Sequence, residues 1–165
     1  MEISSYSEFE TLRDGRRLEV RALRTEDRAG MLEFVGHMSE QSRYYRFFAP
    51  KSTFSEREIA YFVNVDFVNH VALVAVLEDA GRPVIVGSGR YIVTQPGRAD
   101  AHQGLGIASA LMRHLVAMAR TAKLEALQAE VLAENASMLR VFEKSGLELS
   151  KTSQQGVLHV TLRLH

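Results

Sequence analysis

Apolar and polar residues alternate along Leu18-Glu-Val-Arg-Ala-Leu23, directly after the turn pair Asp14-Gly15. That period predicts a strand with one buried face. The unbroken apolar run over 71–77 and a second stretch over 84–93 predict two more strands, with a turn near Asp79-Ala-Gly-Arg-Pro83. Residues 126–132 and the alternating stretch 157–164 predict two further strands. Between these segments the period lengthens to that of helices. Met31, Leu32, Phe34, Val35 and Met38 fall on one helical face, with Thr25 as the expected cap and Asp27 in the first turn. Ser55 and Glu58 have capping-box spacing, which predicts a second helix through Phe62. Ile107, Leu111, Leu115 and Met118 line one face of a third helix running to about Ala119. Asn135 caps a short fourth helix that ends at Gly146. The order is strand, two helices, strands, helix, strand, helix, strand, which makes a mixed α/β domain.

Composition narrows the function classes. A chain of 165 residues with 46% hydrophobic content suits one domain, taken here as 1–165 with its core over about 11–165. Twenty basic and twenty acidic residues cancel. No basic surplus or stripe points to nucleic acid or to an anionic membrane. Cysteine is absent, which removes disulfides, thiolate nucleophiles and cysteine metal sites and fits a reducing compartment. The run over 71–77 is far too short to span a membrane, and MEISSYSEFE is acidic where a signal peptide is basic and then apolar. A soluble, cytoplasmic protein is expected. The six histidines, at 37, 70, 102, 114, 159 and 165, show no metal spacing, so no metal is expected. Ser88 stands in Gly87-Ser-Gly89, which is not a nucleophile elbow.

The chemistry concentrates at Gln103-Gly-Leu-Gly-Ile-Ala108-Ser109, where two glycines lead into the third helix. A helix amino terminus offers unpaired amide hydrogens and partial positive charge, so it suits a phosphate. A nucleoside-triphosphate loop would need lysine where Ile107-Ala108 stands, and a dinucleotide fingerprint would need a third glycine where Ser109 stands. The remaining pattern, Gln-x-x-Gly-x-Gly/Ala, resembles the pyrophosphate loop of the Gcn5-related N-acetyltransferases (GNAT), which grip acetyl-coenzyme A. Leu127-Gln-Ala-Glu-Val-Leu132, Glu134-Asn135, Met138-Leu139 and Phe142-Glu-Lys-Ser-Gly146-Leu147 resemble the strand and helix that follow in that family. Asp14-Gly15 to Arg21, residues 39–48 and Val65-Asp66 to His70 resemble its bacterial protein-lysine acetyltransferase branch.

The resemblance implies a single mixed, mostly antiparallel sheet with helices on both faces. It implies acetyl-coenzyme A as co-substrate, held by Gln103, Gly104, Leu105, Gly106, Ile107, Ala108 and Ser109, with Asn135 as a further contact. The acceptor it implies is an amine, most readily a protein lysine. Two alternatives stand beside this: a non-catalytic module that senses acyl-coenzyme A or holds a partner, and an acetyltransferase for small-molecule amines. Oligomeric state is open, a dimer included.

One expectation is a gap. The family has a long strand before the loop, splayed from the strand after the loop helix, and it often carries a glutamate base. Here only Thr94 to Gln103 precede Gly104. Residues 98–103 can span roughly 20 Å when extended, yet Arg-Ala-Asp-Ala-His-Gln lacks β-branched and aromatic residues. The usual strand is therefore expected to be missing, deleted or left out of this sequence. Without its glutamate, Glu130 is the candidate base, facing away from Leu127, Ala129 and Val131, while Asp100 and Glu134 are weaker. Phe142 stands where many relatives carry a tyrosine acid. His102 is set against a loop phosphate or plain exposure, and Tyr44-Tyr-Arg-Phe-Phe48 against an acceptor pocket or core cover.

Overall fold

A computed structural model describes residues 3–12, 14–36, 55–103 and 108–164. The aromatic group Tyr44 to Phe48 lies outside them. Eight strands form one sheet in the order β1-β2-β3-β4-β5-β6-β8-β7. They are β1 (Ser7–Thr11), β2 (Arg17–Ala22), β3 (His70–Asp79), β4 (Arg82–Gln95), β5 (Arg98–Gln103), β6 (Ala126–Leu132), β7 (Glu148–Gln154) and β8 (Val157–Arg163). Every pairing is antiparallel except β5 with β6. The α-helices among the described residues are α1 (Arg28–Gly36), α2 (Glu56–Val63), α3 (Ala108–Thr121) and α4 (Ala136–Glu143). Among the described residues no helix is long and apolar enough to cross a membrane.

The run over 71–77 is apolar throughout because β3 is covered on both faces. Val71, Leu73, Ala75 and Leu77 enter a large core with Leu111, Leu115 and Met118 of α3 and Phe142 of α4. Ala72, Val74 and Val76 enter a smaller core with Leu23, Met31 of α1 and Ile85. Ser55 caps α2 as its spacing predicts, with its hydroxyl accepting the Glu58 N–H while Glu58 accepts the Ser55 N–H.

Several elements differ from the pattern-based expectation. Thr25 is not a cap but the first residue of a 3-10 turn, Thr25–Asp27, that runs into α1. Asp27 does the capping, accepting the Arg24 N–H at 2.7 Å while Arg21 grips its carboxylate through two 2.8 Å bonds. Met38 lies outside the described residues; among the described members of the expected apolar face only Met31 is buried, and Leu32 is 40% exposed. The polar edge strands β1 and β7 carried no alternation to announce them. β1 is fastened by Tyr6, whose hydroxyl lies 2.5 Å from His114 Nδ1 in α3, while His114 Nε2 lies 2.9 Å from Glu10.

The segment expected to lack a strand forms a short one. In place of the family's long strand, β5 has six residues. Pro96-Gly97 turn the chain, with Gly97 at φ +78°, and β5 then runs back along β4 from Gln95↔Arg98 to Gly89↔Gln103. Its backbone ladder outweighs its weak strand propensity, because position between two strands supplies the pairing that composition does not.

Candidate functional site

β5 and β6 begin side by side and then separate. They pair as Arg98↔Ala126, Ala99↔Leu127 and Asp100↔Gln128, and no further. β5 nevertheless continues to Gln103 against β4, and β6 continues to Leu132 against β8. The sheet is therefore split between Ala101–Gln103 on one side and Ala129–Leu132 on the other.

Hydrogen-bond direction shows which backbone groups border the split. The Ala133 N–H donates to Gly156 and the Leu164 N–H donates to Glu125, each at 2.9 Å, so odd positions of β6 serve β8. The N–H groups of Glu125, just before β6, and of Ala126 both donate to Gly97, at 2.7 and 3.2 Å; within β6 the odd positions are engaged with β8, so the even positions face β5. The backbone of Glu130 and Leu132 consequently borders the split, where β5 offers it no register partner. Backbone donors and acceptors in such a place call for a partner.

The loop falls at the head of this split. Gln103 ends β5 and Ala108 begins α3, whose first-turn residue Ser109 is exposed. Gly104, Leu105, Gly106 and Ile107 lie outside the described residues, so the cradle predicted from them stands as an expectation. Asn135 follows β6 directly, with its N–H donating to Leu132 at 2.9 Å. It is 8% exposed and caps α4 through Oδ1, which accepts the Met138 N–H at 3.3 Å. The cap uses the carbonyl oxygen only, so the amide nitrogen has donors left to give.

Glu130 faces away from Leu127, Ala129 and Val131, which are in the core, and its side chain is 61% exposed. Its Oε1 stands 3.7 Å from Nδ1 of His159, its cross-strand partner on β8. Asp100 occupies the last register pair before the split, and Glu134 is exposed. Phe142 is 3% exposed and packs in the core. Among the described residues no group of three His, Asp or Glu side chains is placed to hold a metal.

One polar cluster went unanticipated. Arg90, 2% exposed in the middle of β4, donates through Nη1 to the Phe62 carbonyl of α2 at 3.0 Å and to His70 Nε2 at 2.9 Å. Burial and the neighbouring guanidinium hold the His70 imidazole neutral, lowering its pKa to about 4. Arg90 stands in register with His102 of β5, which places the cluster one strand from the split. The visible signal was an arginine set between Gly89 and Tyr91 in the mostly apolar stretch 84–93. Nearby, burial pushes the Tyr91 hydroxyl up to about 12, and that hydroxyl and Ser88 Oγ have no hydrogen-bond partner among the described residues.

Known proteins share this fold. The sequence is 34% identical over 119 residues to an acetyltransferase of Pseudomonas aeruginosa, a match spanning 67% of this chain and 64% of that protein. The fold superposes on the GNAT domain of S. lividans PAT with a TM-score of 0.85 and 29% identity, covering 95% of this chain and 96% of that one. It also matches spermidine N-acetyltransferase from Vibrio cholerae, solved in complex with CoA and spermine, with a TM-score of 0.68 and 19% identity over 89% of this chain and 95% of that one. The acetyltransferase (GNAT) family description matches residues 34–147, which takes in α2, the split, the loop and α4. By that match, which covers more than half of the sequence, the chain belongs to the acetyltransferase (GNAT) family.

Proposed function

We propose that the protein transfers acetyl from acetyl-coenzyme A to an amine, with a protein lysine as acceptor. The observation that carries this reading is the parting of β5 from β6 after Asp100↔Gln128, immediately ahead of the loop. The amide-bearing arm of coenzyme A suits such an opening, because the free edge of β6 can pair with it as a strand pairs. Gln103, Gly104, Leu105, Gly106, Ile107, Ala108 and Ser109 would hold the pyrophosphate at the start of α3. Asn135 would add its free amide donors.

The amine must first be neutral, and a lysine ammonium ordinarily titrates near 10.4. A proton acceptor at the mouth of the split therefore sets the rate near pH 7. The amine nitrogen then attacks the thioester carbonyl, and the thiolate leaves with the bonding electrons. The resemblance of Asp14-Gly15 to Arg21 and of Val65-Asp66 to His70 to the bacterial protein-lysine branch supports a protein-lysine acceptor. The short β5 favours a second reading, a module that binds acyl-coenzyme A without turnover.

The test is thiol release from acetyl-coenzyme A in the presence of a lysine peptide or of spermidine. Faster release with the peptide, with acetyl-lysine seen by mass spectrometry, is expected. Release with spermidine alone would replace the lysine by a small-molecule acceptor. Release with neither would leave the binding module.

A further inference from the structure

Arg90 and His70 form a polar cluster that coenzyme binding at the split leaves unexplained. Burying a guanidinium is unfavourable unless its contacts compensate. Nη1 donates to the Phe62 carbonyl in the last turn of α2 and to His70 Nε2 at the start of β3. The guanidinium carbon also stands 5.2 Å from the centre of the Phe62 ring. One buried group thus ties the end of α2 to β3 and β4. Asp66 secures the connection between α2 and β3, its Oδ1 accepting the N–H groups of Val68, Asn69 and His70 at 2.9 Å each.

This frame presents Tyr61. The ring is 51% exposed, yet it rests 5.2 Å from the His70 ring and meets Phe62 edge-on at 5.7 Å, centre to centre. Both supports are held by Arg90. Val68, 70% exposed, is carried by the same Asp66 loop. An exposed aromatic ring on a fixed support loses little freedom on binding, and tyrosine is a frequent anchor of protein contacts.

The register relates the ring to the split. His70 pairs with Ile92, Ile92 with Asp100, and Asp100 with Gln128, the last pair before the strands part. His70 and Asp100 are therefore two strand spacings apart, about 10 Å. α2 lies on the Arg90 face of the sheet, opposite α3, and Ile92 on that face is only half-buried. An extended lysine stem of four methylene groups spans about 6 Å. With its nitrogen at the split and its stem over Ile92, the lysine leaves the next residue of its chain at Tyr61.

We propose that Tyr61 is a specificity-determining residue that receives an apolar residue flanking the acceptor lysine, with Arg90 as the positioning residue behind it; this rests on the acetyl-transfer reading with a protein acceptor. The ring discriminates a lysine within a peptide from the same amine on a small molecule.

The experiment uses two acceptors with one amine: a peptide with leucine on either side of lysine, and N-acetyl-lysine methylamide. Wild type should favour the peptide in kcat/KM. Tyr61→Ala should reduce that preference by about tenfold through the peptide KM, and Tyr61→Phe, which keeps the ring, should restore it. Arg90→Lys should raise the peptide KM in the same way, and adding it to Tyr61→Ala should raise it no further. Acetyl-coenzyme A affinity by calorimetry should be equal throughout. A Tyr61→Ala enzyme whose preference stays within about twofold of wild type overturns the proposal, and this surface variant decides it even where Arg90→Lys fails to fold. Additive effects of the two substitutions overturn the role of Arg90. Wild type that binds acetyl-coenzyme A but acetylates neither acceptor overturns the transfer reading instead, so the two failures are distinct.

Discussion

β3 and β4 exchange partners over ten residue pairs, whereas β5 and β6, one strand further along the same sheet, share three and then separate. The first pair is covered on both faces and contains side chains of zero exposure, Val71, Leu73 and Tyr91 among them. The second gives up its ladder after Asp100↔Gln128, while β5 runs on to Gln103. One sheet thus divides its labour: the closed region supplies the burial that folds the domain, and the open one keeps backbone groups available to a ligand. A split of this kind is tolerable only because the neighbours β4 and β8 hold β5 and β6 along their other edges.

That division can be broken most heavily from the closed side. Leu73→Ala removes a fully buried side chain from the main core and should cost about 2–5 kcal/mol in denaturant unfolding. Once folded, the variant should bind acetyl-coenzyme A as wild type does. Loss of affinity in proportion to lost stability would show that the two regions are not separate.

A smaller effect comes from acid. Burial, then Arg90, lowers the folded-state pKa of His70 to about 4, while an unfolded histidine titrates near 6.5. Between those values the unfolded chain binds the extra proton, so stability falls as pH drops through that window and is unaffected by this group above it. His70→Gln keeps an acceptor for Arg90 and removes the titration, so its Tm should decline less than wild type between pH 6.5 and 4. An identical slope in both proteins would remove His70 from the account.

Sequence carried more of the closed region than of the open one. Residues 71–77 announced β3 because a strand buried on both faces must be apolar throughout, and Ser55 with Glu58 announced α2 because a capping box has fixed spacing. β5 was obscured, since its order comes from the ladders of β4 and β6 rather than from Arg-Ala-Asp-Ala-His-Gln itself. β1 and β7 were hidden for a similar reason: edge strands bury little and need no alternation. Within the site, Asn135 was legible as a cap, and its position after β6 adds the link to the split. The pairing of Glu130 with His159 was not legible, because the two are neighbours only through the register of β6 and β8.

The claim that the split and its loop hold coenzyme A is tested most directly by titrating acetyl-coenzyme A calorimetrically into the intact protein and into Gly106→Arg. Micromolar binding to the wild type is expected, weakened at least about tenfold, or roughly 1.4 kcal/mol, in a variant whose unfolding curve is unchanged. Equal affinity in the two proteins, or no binding to the wild type at millimolar ligand, would contradict it.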